Sequence, residues 1–186
     1  MTNQEVLERY ISLCQSNLET NSRILSLLRK RGIGEQFLFT NFRLGYSNGN
    51  LSEVVGEDKD SRERIETLGI LRNGKELLQH RLIIPIEDEN KVVVNLVAVS
   101  LHPQSKRRVI ALNETGIFNQ SFLGKTTEII CTEDPLESLL LIQKDVPNIT
   151  FLFGSDEKYA SFMASHGIEW LQFIIKINCK VCNCII

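Results

Sequence analysis

Apolar residues recur at helical spacing along the first part of the chain. Val6, Tyr10 and Leu13 follow one another at intervals of three or four residues, which places their side chains on one face of a helix. The spacing restarts after a polar break, so two consecutive helices are predicted within residues 1–31. Gly32 follows a basic turn and is expected to end the second helix.

The middle of the chain changes to the pattern of strands. Residues 31–50 predict a short helix, an aromatic-rich segment and a turn, and the highly charged residues 52–64 predict an exposed loop or a helix with a weak apolar face. Two apolar runs, Leu82–Ile86 and Val92–Val99, flank a short polar turn. That arrangement is typical of a β-hairpin.

From residue 126 the chain alternates between short apolar strands and helices. Short connections between alternating elements indicate a βαβαβ unit with a parallel sheet. The predicted class is therefore α/β, with an α+β part before the parallel unit, and Trp170 and Phe42 are interpreted as core residues. The predicted divisions are helices over 1–31, an α+β subdomain over 32–125, the parallel unit over 126–178 and a cysteine-rich tail over 179–186.

Composition excludes several functional classes. The chain has 186 residues, 42% of them hydrophobic, and a formal net charge of −2. Without an apolar run of about 18 residues or a secretory signal, a cytoplasmic protein with no membrane contact is expected. A net negative chain cannot attract nucleic acid over its whole surface, so binding requires a local patch. Two basic triplets, 29–31 and 106–108, are available, although such runs are commonly solvated surface.

Cysteines do not indicate a metal site. Cys14 and Cys131 lie in apolar contexts and are interpreted as small core residues. Cys179, Cys182 and Cys184 are closely spaced, but a structural zinc site takes four ligands and no histidine is near. Zinc at the tail is therefore considered unlikely.

The stretch TEIICTEDPLESLLLI, residues 127–142, carries the candidate chemistry. Asp134, Pro135 and Glu137 have the order of a helix cap, a first helical residue and a third-position acid, so capping alone accounts for both acids. Glu133 has no such role. It follows the first strand of the parallel unit, where ligands gather in open α/β sheets. Glu133 is therefore the strongest candidate for chemistry.

The order of these features resembles the catalytic core of bacterial (DnaG-like) DNA primases with a Toprim domain. The resemblance lies in LLRKRGIGEQFLFTNFRLGY, in HRLIIPIEDENKVVVNLVAVSL and in EIICTEDPLESLLL, and it covers about residues 23–177. The piece ETGIFNQ resembles primase-like proteins of mobile elements more than the replicative enzyme. The resemblance implies RNA primer synthesis on single-stranded DNA by metal-dependent nucleotidyl transfer, with nucleotides as substrates and possible contact with a replicative helicase.

Carried over by position, the resemblance assigns roles to individual residues. Glu133 is implied to be catalytic, and Glu133 and Glu137 are implied to bind Mg²⁺ or Mn²⁺. Arg81 matches the arginine before the Pro-Ile strand, and Arg108 falls near a basic position of the nucleic-acid groove. The full basic groove is predicted to consist of Arg81, Lys106, Arg107, Arg108 and Lys125.

This chain also departs from the family pattern. Asp134 stands where the family has glycine, and no Asp-x-Asp motif follows the third strand, so the Toprim part is expected to be truncated and catalytically incomplete. Alternatively, Asp156, Glu157 or a second chain completes a working nucleotidyltransferase or Toprim-type nuclease. Asp156 is otherwise interpreted as a helix N-cap. A third interpretation is a non-catalytic nucleic-acid-binding or protein-interaction module derived from a primase.

Overall fold

A computed structural model describes residues 2–51, 58–102 and 104–174. Within these ranges the chain forms an antiparallel sheet, a small hairpin and a parallel sheet, which confirms the predicted α/β class. The helices are α1 (Asn3–Thr20), α2 (Ser22–Lys30), α3 (Gln36–Asn41), α4 (Lys59–Thr67), α5 (Gln120–Leu123), α6 (Pro135–Gln143) and α7 (Asp156–His166). The strands are β1 (Gly45–Ser47), β2 (Leu71–Arg72), β3 (Lys75–Glu76), β4 (Arg81–Glu87), β5 (Val93–Val99), β6 (Val109–Ala111), β7 (Glu128–Thr132), β8 (Ile149–Phe151) and β9 (Trp170–Ile174).

The two predicted N-terminal helices are confirmed. Thr2 caps α1 through a capping box with Glu5, and the apolar positions of α1 are buried along one face. Asn21 separates the helices because its side chain accepts a hydrogen bond from the Ile24 N–H and so caps α2. Gly32 follows α2 with φ of 83°, a conformation that favours glycine.

The antiparallel sheet has the strand order β1-β4-β5-β6, and its central hairpin is the predicted one. Pro85 lies in β4, where it has no N–H to give to a neighbouring strand. It is tolerated because β1 pairs only with Arg81 to Ile83, so that side of Pro85 has no β1 partner. Helix α1 packs closely on β1, since a Cβ on Gly45 would lie 2.6 Å from the Cys14 Cβ.

The parallel sheet has the order β8-β7-β9, and both of its strand pairs are parallel, as predicted. The interpretation of Trp170 as a core residue is wrong. Trp170 is 67% exposed because β9 is an edge strand among the described residues. The structure describes the predicted last strand as far as Ile174, and the cysteine tail lies outside the described residues.

A shared core joins the two sheets. Phe42, Phe118, Phe151 and Phe153 form a column of rings with centroid separations of 4.9, 4.6 and 5.8 Å. The same cluster contains Leu82 and Val97 of the antiparallel sheet and Ile149 of the parallel sheet, so the two sheets share this core, while a further cluster packs on the other face of each sheet. The predicted residue divisions nevertheless remain a prediction. Cys14 and Cys131 are buried, as expected.

Of the charged segment 52–64, only residues 58–64 are described, and helix α4 begins there at Lys59. No helix in the described part of the chain is long and apolar enough to cross a membrane.

Candidate nucleic-acid interface

The acidic side of the candidate site lies at the carboxyl end of β7. The strand ends at Thr132, Glu133 follows in an exposed position, and α6 begins at Pro135. The Asp134 carboxylate caps α6 by accepting a hydrogen bond from the Leu136 N–H at 3.0 Å. The predicted capping role of Asp134 is therefore confirmed.

Buried hydroxyl groups hold this strand end in place. The Ser138 hydroxyl donates a hydrogen bond to the Thr150 carbonyl at 3.0 Å and lies 2.7 Å from the Thr132 hydroxyl. The Thr132 hydroxyl reaches the Asp134 carbonyl at 3.0 Å. Both hydroxyl-bearing side chains are almost fully buried, so these bonds form away from water. They fix Glu133 and Asp134 relative to both β7 and β8.

The basic side of the site lies at one end of the antiparallel sheet. Leu82 pairs with Val99, and Val99 pairs with Val109, so Arg81 and Arg108 occupy the same end. The Arg108 carbonyl accepts hydrogen bonds from the Ser100 N–H at 2.7 Å and from Arg81 Nη1 at 3.2 Å. Strand register therefore brings together two arginines that are distant in sequence.

One ion pair joins the basic side to the acidic side. Arg108 Nη2 lies 2.6 Å from Asp134 Oδ2. A cavity of about 190 Å³ lies at this junction, and it is lined by Arg108, Val109, Glu133, Asp134, Glu137 and Ile174. The structure thus places both predicted metal-binding acids and one predicted DNA-binding arginine around a single cavity.

Other cations extend the basic surface. Lys106 and Arg107 are exposed in the loop before β6. Arg107 is near enough to Arg81 to influence it: partial burial lowers the pKa of the Arg81 guanidinium, and the Arg107 charge lowers it further. Arg31 donates a hydrogen bond to the Leu101 carbonyl at 2.5 Å, which brings the end of α2 to the same region. We call Arg31, Arg81, Lys106, Arg107 and Arg108 the basic cluster.

Sequence reasoning missed Arg31 as a member of this cluster. The basic triplet at residues 29–31 is visible in the sequence. The sequence does not show that Arg31 contacts the Leu101 carbonyl, because Leu101 is 70 residues away. Only the folded chain shows that the two basic triplets are neighbours.

Lys125 is placed apart from the cluster. It lies three residues before β7, whereas Glu133 follows that strand, and five residues of strand span about 17 Å. Lys125 instead lines a separate open cavity of about 460 Å³, together with the partly exposed Phe37 and Phe122. The structure therefore does not bring Lys125 together with the other predicted DNA-binding residues.

The acids present supply few metal ligands. No group of three or more His, Cys, Asp or Glu residues with the arrangement of a metal site occurs among the residues that the structure describes. Asp134 is engaged by Arg108 and by the helix cap. Glu133 and Glu137 also line the cavity, and two carboxylates suit a magnesium ion held jointly with phosphate groups rather than a site formed by protein alone.

Asp156 does not line this cavity. It is the first residue of α7, and the N-cap position belongs to Ser155, so the interpretation of Asp156 as the N-cap is wrong by one residue. An acid in the first helical turn is still favoured by the helix dipole.

Comparison with protein families identifies the part of the chain that precedes the parallel sheet. Residues 13–123 match the family model described as the DNA primase catalytic core, N-terminal domain, and this range is more than half of the chain. The chain belongs to this primase family. The match ends before β7, so it includes the basic cluster and leaves the parallel sheet outside. A comparison with curated proteins gives no significant match.

Solved primase structures share the fold of the chain. The Aquifex aeolicus primase, comprising zinc-binding and RNA polymerase domains, has a TM-score of 0.78 at 18% identity, covering 92% of this chain and 47% of that one. A DnaG catalytic domain bound to single-stranded DNA has a TM-score of 0.78 at 13% identity, covering 92% and 60%. The E. coli primase catalytic core has a TM-score of 0.75 at 13% identity, covering 92% and 61%.

The similarity covers most of this chain but only part of each solved primase structure. The chain spans about half to three-fifths of the length of these structures, with coverage of 47%, 60% and 61%. It includes both sheets of the present fold, since 92% of the chain is aligned. At such low identities the similarity establishes the fold.

Proposed function

We propose that the chain is a primase-like domain that binds single-stranded DNA through the basic cluster. The observation that carries this proposal is the convergence of Arg81 and Arg108 at one sheet end, facing the acids that follow β7. Guanidinium groups bind phosphate oxygens in a planar, bidentate geometry, so two adjacent arginines suit a phosphate backbone. The DnaG domain bound to single-stranded DNA, which has the same fold, makes this ligand the first to test.

We further propose that β7, β8, β9 and their helices are a partial Toprim domain. In this proposal Glu133 and Glu137 hold Mg²⁺ or Mn²⁺ together with the phosphates of a nucleotide. When bound, such an ion would neutralise charge on the phosphates during nucleotidyl transfer. Glu133 is the catalytic candidate because it is exposed at the cavity and Asp134 is already engaged by Arg108.

DNA binding is proposed ahead of primer synthesis for a structural reason. Two-metal phosphoryl-transfer sites are held by several carboxylates, whereas this cavity is lined by three, one of which pairs with Arg108. Primer synthesis therefore requires a further acid from a second chain or from outside the described residues. Contact with a helicase and membership among mobile-element proteins remain predictions.

Charge reversal tests the proposed DNA-binding surface. Fluorescence anisotropy would measure the affinity of a fluorescein-labelled dT 20-mer for the wild type and for the double variant Arg107→Glu/Arg108→Glu. We expect at least about a hundredfold weaker binding, since two contacts are lost and two repulsive charges are added.

The matched control is Lys59→Glu/Lys144→Glu, which changes the net charge equally at exposed lysines outside the cluster. Its binding should fall by less than about threefold, because these charges are screened at a distance in physiological salt. Equal losses in the two double variants would contradict the assignment of the surface.

A further inference from the structure

We propose that Asp134 sets the DNA affinity of the basic cluster by competing with DNA phosphate for Arg108. This inference rests on the proposed function, since it concerns the same surface. The competing acid belongs to the chain itself, at the start of α6, and its contact with Arg108 crosses from the parallel sheet to the antiparallel sheet.

The two oxygens of the Asp134 carboxylate have different partners. Oδ1 accepts the hydrogen bond from the Leu136 N–H, and Oδ2 lies 2.6 Å from Arg108 Nη2. The side chain of Asp134 is only 12% exposed, so the helix cap holds it in a defined position. The Asp134 side chain is therefore already held in place, so little conformational entropy is lost when its carboxylate pairs with a cation.

Arg108 is the more mobile half of the pair. Its backbone is anchored through its carbonyl by Ser100 and Arg81, but its side chain is 47% exposed. Rotation about the side-chain bonds can turn the guanidinium from Asp134 towards solvent without moving β6. DNA phosphate can thus reach the same guanidinium that Asp134 holds.

Carboxylate and phosphate compete because both accept the same pair of guanidinium N–H groups. DNA binding must therefore either break the contact with Asp134 or bring a phosphate close to the negative charge of Asp134, and both reduce affinity. A partly exposed ion pair of this kind corresponds to about a twofold to fivefold change in an equilibrium constant, and the removal of repulsion increases the effect.

The substitution Asp134→Asn separates this role from capping. Asparagine caps a helix about as well as aspartate but carries no charge, so α6 should keep its start. We expect Asp134→Asn to tighten binding of the dT 20-mer about threefold to tenfold. Asp134→Ser, a second neutral cap, should give a similar gain and provides an independent variant if the asparagine protein folds poorly.

Coupling to Arg108 distinguishes competition from a general charge effect. In an Arg108→Ala background, Asp134→Asn should change affinity by less than about twofold, because the contested guanidinium is gone. Glu133→Gln removes one charge at the same cavity without this contact, and it should produce a smaller gain than Asp134→Asn in the wild-type background.

Each outcome has a distinct meaning. An unchanged affinity in Asp134→Asn, or an equal gain with and without Arg108, would overturn the inference. If Arg108→Ala alone left DNA binding unchanged, the proposed role of Arg108 in DNA binding would fail instead. If Asp134→Asn increases DNA affinity in the wild-type background but not in the Arg108→Ala background, the result supports both the competition by Asp134 and the DNA-binding role of Arg108.

Discussion

Arg108 Nη2 lies 2.6 Å from Asp134 Oδ2, although the two residues are 26 positions apart in the sequence. Arg108 directly precedes β6, which is at the edge of the antiparallel sheet in the described part of the chain, and Asp134 caps the first helix of the parallel unit. The contact therefore places the basic cluster against the acids that follow β7. A DNA strand on the cluster would pass beside Glu133.

Arg81 is expected to act both through its charge and through its hydrogen bond to Arg108. Arg81→Ala should weaken binding of a dT 20-mer about tenfold, because it removes a phosphate contact and releases the Arg108 carbonyl. Arg81→Lys keeps the charge but loses the planar fork, so it should recover only part of the affinity. Anisotropy titrations at one salt concentration provide the measurement, and full recovery by lysine would show that charge alone matters.

Lys125→Ala is expected to change DNA affinity by less than about twofold. Lys125 lies at the opposite end of β7 from Glu133 and lines a different cavity. At that separation its charge is largely screened by salt. The same anisotropy assay measures the effect, and a loss as large as that of Arg81→Ala would place Lys125 in the binding surface after all.

Metal binding is expected to depend on nucleotide. With Glu133 and Glu137 as the carboxylates, calorimetry should detect at most weak Mg²⁺ binding to the protein alone, and the protein should bind a non-hydrolysable nucleoside triphosphate more tightly with Mg²⁺ than with EDTA. Glu133→Gln should remove the Mg²⁺-dependent part of nucleotide binding. The same Mg²⁺ dependence in Glu133→Gln and in the wild type would exclude Glu133 as a ligand.

Ser138 is expected to contribute to stability and to the placement of Glu133. Ser138→Ala removes the buried hydroxyl that donates to the Thr150 carbonyl and contacts the Thr132 hydroxyl, so the free energy of unfolding should fall by about 1–3 kcal/mol. Urea unfolding measures this change. Ser12→Ala, at an exposed position in α1, is the matched control and should change stability by less than about 0.5 kcal/mol.

Lys158 is expected to make stability depend on pH. Burial lowers its pKa to about 8 from 10.5, while its Nζ lies 3.4 Å from the Phe153 ring centroid. Between these values the unfolded chain holds the proton and the folded chain does not, so this lysine makes stability rise as pH increases from 8 to 10.5. Below pH 8, Lys158 is charged in both the folded and the unfolded chain, so the folded state is destabilised by the full cost of burying that charge.

Lys158→Met keeps an unbranched side chain against Phe153 but cannot be charged. The variant should gain stability relative to the wild type at pH 7, and that gain should shrink as pH rises to 10.5. Urea midpoints of both proteins across this range give the difference. A constant difference would show that Lys158 does not titrate in this window.

Local sequence patterns were sufficient for much of this fold. Helix α1 follows from apolar spacing, the hairpin of β4 and β5 from two apolar runs around a polar turn, and the Asp134 cap from its position before Pro135. These features depend on residues that are close in sequence. The α/β class follows from the alternation of short strands and helices after residue 126.

The assembly of the site depends on distant contacts. Neither the pairing of Arg108 with Asp134 nor the approach of Arg31 to Leu101 has a local signal, since both depend on how the sheets pack. The sequence predicts Lys125 as part of the basic groove because the position of a charge in the sequence does not show how far it lies from other charges in the fold. The sequence predicts a core position for Trp170, since hydrophobicity alone does not show that a strand lies at the edge of a sheet.

The salt dependence of DNA affinity tests the central claim most directly. Each phosphate contact with single-stranded DNA lowers the slope of log Kobs against log salt concentration by about 0.7. If each of the five residues of the basic cluster contacts a phosphate, the slope should be about −3.5, and about −2.1 for Arg107→Ala/Arg108→Ala. A flat response, or the same slope for both proteins, would contradict DNA binding by the basic cluster.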